Sequence, residues 1–340
     1  MPGLFDPVSF RGLTLKNRIM VSPMCQYQAG PDGVATDWHF VHYGSLALGG
    51  AGLIMVEATA VESRGRISNR DLGLYDDRHV DGLRRMVAFV HSQGVRIGVQ
   101  LAHAGRKADL AEPIVAPSAV RFSERYQVPH ALTEAGLDEV EQAFAAAARR
   151  AVAAGFDVIE IHAAHGYLLH QFLSPISNLR TDAYGGSAAG RLRFPLRVVQ
   201  AVRRAIPDDM PLFIRVSASE WDDRGFTLDE VIQFCQAFRE AGVDLVDVSS
   251  GGNTPSPPRV YAGYQVPFAQ AIRERVKVPV AAVGLLDQPV LADAVIQEGR
   301  ADLVAIARGF LRDKHWGHTA ARALGHPVDP PRSYQRAYLT

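Results

Sequence analysis

The sequence alternates between short apolar runs and longer segments with helical periodicity. The runs are rich in Val, Ile and Leu, and eight of them occur, at residues 18–23, 52–58, 96–102, 157–163, 212–217, 245–250, 278–284 and 302–307. Their hydrophobicity is nearly continuous instead of alternating, which is what parallel strands covered on both faces require. Eight strands alternating with helices predict an α/β fold in which one parallel sheet closes into a (β/α)8 TIM barrel.

The segments between the runs carry signals for the ends of helices. Residues 137–154 are rich in Ala, begin with glutamates and are followed by Gly155, a pattern that predicts a helix. The sequence Thr227-Leu-Asp-Glu230 is a capping box, which predicts that a helix spans residues 228–241. Further helices are predicted at residues 76–93, 190–205, 266–276, 288–299 and 312–324.

An open, doubly wound sheet is the alternative architecture for alternating strands and helices. The glycine-rich segment at residues 49–52 precedes a strand instead of following one, and it lacks the final glycine of a dinucleotide-binding fingerprint. The barrel is therefore preferred, with residues 1–340 as a single domain because nothing in the sequence indicates a linker. Long connections are expected after the third and fourth strands, at residues 104–136 and 164–189, on the rim where barrel active sites form.

Charge and cysteine content exclude several classes of protein. Lys and Arg number 36 and Asp and Glu number 36, so the formal net charge is zero, and no nucleic-acid or anionic-membrane partner is predicted. The two cysteines, Cys25 and Cys235, form no CxxC pair, which excludes a disulfide scaffold, a cysteine zinc site and an iron–sulfur cluster. The longest apolar stretch, residues 46–56, is too short to cross a membrane, and a cytoplasmic location is expected.

Polar residues stand at the carboxyl ends of the predicted strands, where a barrel carries its chemistry. Residues 22–27 follow the first strand, residues 100–107 end the third, and residues 162–167 end the fourth. Arg215 lies inside the fifth strand. Because an arginine in mid-strand cannot be buried without compensation, Arg215 needs either a carboxylate partner or an anionic ligand in the barrel mouth.

The fourth strand ends in two histidines and a tyrosine. His162 and His165 have the spacing of a metal-binding pair, but no third ligand stands at the rim, so no metal site is predicted. Either histidine alone has the alternative interpretation of a buried structural residue, whereas the two beside Tyr167 form a cluster able to bind and protonate a carbonyl compound. Cys25 is interpreted either as a small buried apolar residue or as a nucleophile that needs an activating base.

The last two strands end in residues suited to a phosphate. Gly284 follows the seventh strand and Arg308 follows the eighth. Barrels often bind phosphate with these two loops, because glycine permits close approach of the backbone and a guanidinium supplies charge. The residues alone thus predict a barrel that holds a phosphorylated ligand.

Five segments taken together resemble the old yellow enzyme family of FMN-dependent ene-reductases, and the resemblance runs nearly from end to end. The segments are Ser22-Pro-Met-Cys25, Gln100-Leu-Ala-His-Ala-Gly-Arg106, His162-Ala-Ala-His-Gly-Tyr167, the stretch 174–187 and the stretch 299–308. Cys25 with Tyr27 is similar to the pattern of the thermophilic-like bacterial subgroup, whose members reduce activated alkenes with NADPH. Members of the related dienoyl-CoA reductase branch carry an iron–sulfur segment and further domains. That branch is excluded, because this sequence has two cysteines and 340 residues.

The resemblance implies a set of contacts to the ring system of FMN. Ala58 and Gln100 would address the pyrimidine portion of the flavin, and Arg215 would stabilise the negative charge of the reduced ring. Cys25 would lie near the reactive edge and tune the flavin potential. The backbone that would contact the ring comprises Ser22, Pro23, Met24 and Cys25.

The resemblance also implies a phosphate site and a donor of reducing equivalents. Gly284, Ala307 and Arg308 would hold the FMN phosphate. NADPH would supply hydride to the bound flavin, as it does for members of the subgroup. The substrates implied are activated alkenes, namely α,β-unsaturated ketones and aldehydes, maleimides and nitroalkenes.

The substrate side of the implied site uses the histidine–tyrosine cluster. His162 and His165 would donate hydrogen bonds to the carbonyl oxygen of the alkene. Tyr167 would deliver a proton to the α-carbon while flavin N5 gives hydride to the β-carbon. Tyr27 and Lys107 would line the substrate space.

The C-terminal segment, residues 327–340, is too rich in proline to continue the last helix. In the subgroup that the chain resembles, a C-terminal arginine reaches the active site of a neighbouring subunit, and Arg336 is the matching residue. A homodimer or homotetramer is therefore expected. The alternative is a solvated, frayed terminus.

Two other functions compete with the reductase. A flavin-free barrel lyase needs a Schiff-base lysine at a strand end, and Lys107 alone lies near the active rim. A non-catalytic barrel that binds a phosphorylated ligand is the other alternative. The loops at residues 124–132 and 253–261 match no diagnostic pattern, and substrate preference is expected to depend on them.

Overall fold

The computed structural model describes residues 2–338, in which eight parallel strands close into a barrel. The barrel strands, in spatial and chain order, are β3 (Ile19–Val21), β4 (Leu53–Ala60), β5 (Arg96–Ala102), β8 (Val158–Ala163), β9 (Leu212–Ser217), β10 (Leu245–Ser249), β11 (Val280–Val283) and β12 (Leu303–Ile306). Each strand pairs in parallel with its neighbours, and β12 pairs with β3 to complete the ring. The predicted (β/α)8 barrel is confirmed, with every barrel strand inside or within two residues of its predicted range.

Helices and short strands fill the connections. The helices are α1 (Asp37–Ala47), α2 (Val80–Ser92), α3 (Glu134–Ala154), α4 (Leu168–Leu173), α5 (Ala188–Ala205), α6 (Leu228–Glu240), α7 (Val266–Val276), α8 (Pro289–Gln297), α9 (Arg308–Arg312) and α10 (Trp316–Ala323). The short strands are β1 (Val8–Phe10), β2 (Leu13–Leu15), β6 (Val115–Ala116) and β7 (His130–Ala131). None of the helices within residues 2–338 has both the length and the apolarity needed to cross a bilayer.

Local sequence signals account for where several helices begin and end. The hydroxyls of Thr133, Ser187 and Thr227 accept hydrogen bonds from backbone N–H groups in the first turns of α3, α5 and α6. The capping box predicted for α6 is present, with Glu230 closing it. Gly155 ends α3 at φ +90°, a conformation that glycine adopts without steric cost.

The barrel interior is filled by alternate residues of the strands. Phe213 of β9 points inward, while its neighbours Leu212 and Ile214 join the outer cluster that packs against the helices. The hairpin of β1 and β2 closes the amino end of the barrel, where Phe10 meets Phe213 edge to face at 5.4 Å between ring centroids. The apolar layers therefore lie toward the amino end, and the polar residues of the strands collect toward the carboxyl end.

The structure adds three helices to the predicted pattern, α1, α4 and α9. Helix α1 lies between the first two barrel strands, where no helix was predicted. Its buried face includes the polar aromatic residues His39, His42 and Tyr43, so the segment has little apolar periodicity in the sequence. The helix predicted at residues 312–324 is present as α10, which begins four residues later, at Trp316. The short helix α9 precedes it, and the two are separated at Asp313, whose carboxylate accepts the backbone N–H of His315 at 2.8 Å.

Phe213→Ala is expected to destabilise the protein by about 3–5 kcal/mol, because it opens a cavity in the closed barrel interior. Chemical denaturation of the purified protein measures this change. Val290→Ala, on the exposed surface of α8, is the control and is expected to change stability by less than about 0.5 kcal/mol. A loss at Phe213 as small as that at Val290 would contradict the packed interior.

Candidate active site

The turn after β8 brings together the three residues predicted to bind and protonate a substrate. His162 ends the inward face of β8, and its ring lies 5.2 Å from that of His165 and 5.0 Å from that of Tyr167, centroid to centroid. His165 and Gly166 adopt left-handed backbone conformations with φ +58° and +73°. This bend turns the chain over the barrel mouth, so that side chains from both ends of the turn meet there.

His162 is a neutral hydrogen-bond donor. The backbone N–H of Ala164 donates to its Nδ1 at 3.3 Å, which assigns the proton of the neutral ring to Nε2. Burial holds the pKa of His162 well below its usual range, and the Arg215 charge acts in the same direction. Its Nε2 has no hydrogen-bond partner within residues 2–338, so that N–H is available to a ligand.

His165 and Tyr167 complete the cluster. The His165 Nε2 lies 2.7 Å from the Ser249 hydroxyl, and its pKa is held well below the usual range by burial. Burial also raises the pKa of Tyr167 well above the usual range for a phenol. Tyr167 thus stays protonated at neutral pH and is suited to donate a proton to a strong base formed beside it.

Lys107 binds the backbone of this turn. Its Nζ donates to the carbonyl oxygens of His165 at 2.8 Å and Gly252 at 2.9 Å, and it faces the rings of Phe122 and Tyr167 at 4.7 and 5.0 Å. Burial lowers the pKa of Lys107 to about 8. The structure therefore places this predicted substrate-lining residue beside Tyr167, with its ammonium group bound to backbone carbonyls.

The segment after β3 forms a second wall. It has no regular secondary structure, and a buried carboxylate anchors it, since the backbone N–H of Gln26 donates to Glu57 Oε2 at 2.7 Å. Burial raises the pKa of the Cys25 thiol, and Glu57 adds to the effect. Cys25 is therefore a protonated thiol, which argues against the activated nucleophile. Tyr27 stands at the edge of this segment with φ +54° and 45% exposure.

A β-bulge adjusts the neighbouring strand. The pairing of β4 with β5 shifts between Val56 and Ala58, which leaves Glu57 as the extra residue and sets Ala58 opposite Gln100. Glu57 then packs outward against α1, where the Tyr43 hydroxyl donates to it at 3.0 Å. Ala58 and Gln100 consequently occupy adjacent positions, as their shared predicted role requires.

A charged cluster fills the barrel just inside its mouth. Arg215 Nε lies 3.0 Å from Asp247 Oδ2, and its Nη2 donates to the Ser22 hydroxyl at 3.2 Å. Gln100 Nε2 donates to Glu160 Oε1 at 2.7 Å. Arg215 therefore has the carboxylate partner that was one of the two predicted possibilities.

Two members of this cluster were missed in the sequence. Asp247 and Glu160 lie inside predicted strands, and each is fully buried. The sequence does contain a pattern that indicates them. Each is a charged residue in an apolar run, two positions before a polar rim residue, which is His162 for Glu160 and Ser249 for Asp247. Residues two apart in a strand share a face, so both carboxylates are expected to point into the barrel. Arg215 Nε, Asp247 Oδ1 and Glu160 Oε2 have no well-directed hydrogen bond within the described chain, so the cluster keeps unused polar atoms.

The ends of β11 and β12 border a cleft of about 110 Å3. Gly284 has φ +131°, which strains any other residue, and a Cβ at this position would lie 3.1 Å from the Tyr264 ring. Ala307 and Arg308 line the opposite side. The Arg308 guanidinium is exposed, and no carboxylate of residues 2–338 lies within ion-pair distance of it. Backbone groups beside an uncompensated cation suit an anionic group such as phosphate.

Within residues 2–338, Arg336 forms no hydrogen bond or ion pair with these groups. It is exposed on a short 3-10 helix, Arg332–Ala337, whose neighbouring tyrosines pack on α10, with Tyr334 at 6.2 Å from His315 and Tyr338 at 5.8 Å from His318. The last two residues of the predicted C-terminal segment, 339 and 340, lie outside the described residues.

No cluster of three or more His, Cys, Asp or Glu side chains within residues 2–338 is arranged to hold a metal ion. His162 and His165 in particular gain no third ligand from the surrounding strands, because their rings are approached by Tyr167 and Ser249.

Glu160→Gln is expected to change how stability depends on pH. Burial raises the pKa of Glu160 to about 8, and the Asp247 charge adds to this. Between about pH 5 and 8 the folded protein therefore keeps a proton that the unfolded chain releases, and stability falls as pH rises, by up to about 1.4 kcal/mol per pH unit. Glutamine imitates the protonated acid and removes that loss.

Urea denaturation at three pH values between 5 and 8 tests this expectation. The free energy of unfolding of Glu160→Gln, relative to wild type, is expected to become more favourable as pH rises. Glu139→Gln, at an exposed glutamate, is the control and is expected to track wild type. A constant difference between Glu160→Gln and wild type across the range would mean that Glu160 is ionised throughout.

Comparisons with known proteins agree with this geometry. A model of the NADH:flavin oxidoreductase / NADH oxidase family matches residues 3–326. The chain is 49% identical over 336 residues to an NADPH dehydrogenase of Geobacillus sp. (strain WCH70), and the match covers 98% of each chain.

Two solved structures extend the comparison. Morphinone reductase superposes with a TM-score of 0.83 at 28% identity, covering 98% of this chain and 92% of that one. Morphinone reductase in complex with tetrahydroNAD superposes with a TM-score of 0.82 at 28% identity, covering 97% and 93%. The resemblance to the old yellow enzymes is thus confirmed, and the chain belongs to the NADH:flavin oxidoreductase / NADH oxidase family of FMN-dependent oxidoreductases.

Proposed function

We propose that this protein uses bound FMN to oxidise NADPH and to reduce the C=C bond of activated alkenes such as α,β-unsaturated ketones and aldehydes, maleimides and nitroalkenes. The proposal rests on the pairing of His162 with Tyr167 at the barrel mouth. His162 is a neutral imidazole whose N–H has no partner within residues 2–338, and the Tyr167 phenol beside it has a raised pKa. The same rim has a cleft suited to an anionic group.

The family relatives support the direction of electron flow. The Geobacillus relative is named NADPH dehydrogenase, and morphinone reductase is a reductase whose structure was also solved with tetrahydroNAD. We therefore propose NADPH as the electron donor and an alkene as the acceptor. The lyase and the non-catalytic barrel lose their support, because membership in a flavin oxidoreductase family accounts for the same rim residues.

The residues present fit FMN. The backbone at Gly284, Ala307 and Arg308, with the exposed guanidinium of Arg308, suits the phosphate. Deeper in the mouth, the Arg215 guanidinium lies beside the Ser22 hydroxyl, and Asp247 balances its charge. When bound, FMN supplies the two-electron chemistry by which a nicotinamide is oxidised and an alkene is reduced.

The first-strand end and its neighbours would complete the cofactor site. The backbone of Ser22, Pro23, Met24 and Cys25 is proposed to contact the ring, since it lies beside the charged cluster through the Ser22 hydroxyl. Ala58 and Gln100 are proposed to contact the pyrimidine portion. Because its thiol is protonated and partly buried, Cys25 is proposed to tune the potential instead of acting as a nucleophile.

The chain stabilises the charge that alkene reduction places on oxygen. His162 and His165 are proposed to donate hydrogen bonds to the substrate carbonyl, and these bonds strengthen as negative charge develops, which lowers the barrier. Tyr167 is proposed to supply the proton to the α-carbon, since its raised pKa keeps it protonated until the carbanion forms. Tyr27 and Lys107 are proposed to line the same space, since the Lys107 Nζ lies 5.0 Å from the Tyr167 ring.

A spectroscopic experiment tests the proposed function directly. The gently purified protein is expected to be yellow, to bleach when NADPH is added without oxygen, and to recover its colour when cyclohexenone follows. If the colour bleaches with NADPH but does not return with cyclohexenone, the protein has NADPH dehydrogenase activity and the proposed alkene reduction is refuted.

His162→Ala is expected to reduce cyclohexenone turnover by about two to three orders of magnitude, because one preorganised donor to the developing oxyanion is lost. NADPH oxidation with oxygen as acceptor is expected to fall far less, because oxygen needs no carbonyl donor. Steady-state kinetics with the two acceptors measures the difference. Equal losses with both acceptors would contradict the role of His162 in substrate binding.

We further propose that the protein forms a homodimer or homotetramer in which Arg336 enters the active site of a neighbouring subunit. Arg336 is exposed on the C-terminal 3-10 helix, and no carboxylate within residues 2–338 pairs with it. Arg336→Ala is expected to raise KM for cyclohexenone severalfold, while Arg332→Ala on the same short helix leaves KM unchanged. Identical kinetics for Arg336→Ala and wild type would exclude this contact.

A further inference from the structure

We propose that Glu220 is a positioning residue for the reaction: its buried carboxylate holds the turn that carries His165 and Tyr167 against the loop at residues 251–253. The inference rests on the proposed function, since that turn is the proposed substrate-binding element. Glu220 lies on the connection from β9 to α6, and its side chain reaches neither of the two rings. It acts through its hydrogen-bond partners.

The carboxylate of Glu220 collects four hydrogen bonds. Asn253 Nδ2 donates to Oε1 at 2.6 Å, and His170 Nε2 donates to the same oxygen at 3.2 Å. Ser174 Oγ donates to Oε2 at 2.8 Å, and the backbone N–H of Phe226 donates to it at 3.1 Å. The residue is 1% exposed, so within residues 2–338 these four donors take the place of the water that would otherwise solvate its charge.

One of the four donors, His170, connects Glu220 to the turn that carries His165 and Tyr167. The backbone N–H of Gly166 donates to His170 Nδ1 at 3.0 Å, which places the proton of the neutral ring on Nε2 and directs it at Glu220. His170 is fully buried. The carboxylate is therefore two hydrogen bonds away from the peptide between His165 and Tyr167.

A second donor connects Glu220 to the facing loop. Asn253 is fully buried, and its backbone carbonyl and side-chain oxygen both accept from Arg106 Nη2, at 2.6 and 3.0 Å. The loop lies directly on the turn, since a Cβ at Gly166 would come within 2.6 Å of Asn253 Cα. Glu220 is thus linked to the turn through His170 and to the loop through Asn253. Lys107 also joins the two, because its Nζ donates to a backbone carbonyl of each.

The hydrogen bonds at Glu220 require a carboxylate. Burial opposes its charge, but the hydrogen bonds from His170, Asn253 and Ser174 outweigh burial and hold the pKa of Glu220 below its usual range. A glutamine has one acceptor oxygen and brings an NH2 group that faces the donors already present. Glu220→Gln keeps the size of the side chain but leaves buried donors unpaired.

The turn needs such support because its backbone conformation is unfavourable. His165 is a non-glycine residue at φ +58°, a conformation that persists only when surrounding contacts impose it. Relaxation of the turn would separate the His165 imidazole from the Tyr167 hydroxyl. A displacement of about 1 Å at a reacting centre lowers a rate by about 100-fold.

Hydrogen exchange and flavin reoxidation in the holoenzyme test the proposal together. Glu220→Gln is expected to exchange the amides of residues 164–168 about 10-fold or more faster than wild type, with distant helices unchanged. Reoxidation of the reduced enzyme by cyclohexenone is expected to slow by about 10- to 100-fold, while reoxidation by oxygen stays within about twofold. Asp223→Asn, at an exposed acid in the same connection, is the control and is expected to match wild type in all three measurements.

A second variant covers the case in which Glu220→Gln does not fold. His170→Asn keeps an acceptor near the Gly166 N–H but removes the link to Glu220, and it is expected to show the same pattern. Unchanged exchange at residues 164–168 in a folded variant would overturn the proposal, as would equal slowing with cyclohexenone and oxygen. Failure of the wild-type enzyme to reoxidise with cyclohexenone would instead refute the proposed function, and the exchange measurement would still decide the role of Glu220.

Discussion

Closure of the eight parallel strands is the constraint on which the rest of the molecule depends. A closed parallel sheet satisfies its backbone hydrogen bonds internally and leaves both faces to be buried, one by the core of the barrel and one by the helices. Every strand then ends at the same rim. Residues as far apart in sequence as Ser22, His162 and Arg308 consequently border one mouth, and polar groups concentrate there because apolar layers fill the other end.

Burial at this rim decides the protonation states that the proposed chemistry uses. Desolvation keeps His162 neutral and Tyr167 protonated, so one donates a hydrogen bond and the other holds a proton in reserve. The same effect keeps Glu160 protonated to about pH 8 beside the ion pair of Arg215 and Asp247. The buried cluster of Glu160, Arg215 and Asp247 is therefore close to electrically neutral.

Most of the fold was predictable because its signals are local. The strand Leu212–Ser217 coincides with an apolar run, and α6 begins at the capping box of Thr227 and Glu230. Where a buried face is polar, the local signal fails. Helix α1 presents His39, His42 and Tyr43 to the interior, and the break between α9 and α10 depends on an Asp313 contact that apolar periodicity does not register.

For the candidate site, the chemical groups at the strand ends could be predicted without the structure, because strand positions follow from hydrophobic periodicity. His162, Tyr167, Gly284 and Arg308 were predicted at the rim in this way. The contacts among the site residues became visible only in the folded structure: Asp247 pairs with Arg215, two backbone carbonyls accept hydrogen bonds from Lys107, and the Glu220 carboxylate accepts one from His170. These pairings join residues of different strands and loops, and they depend on the register of the sheet and on burial, neither of which a local pattern contains.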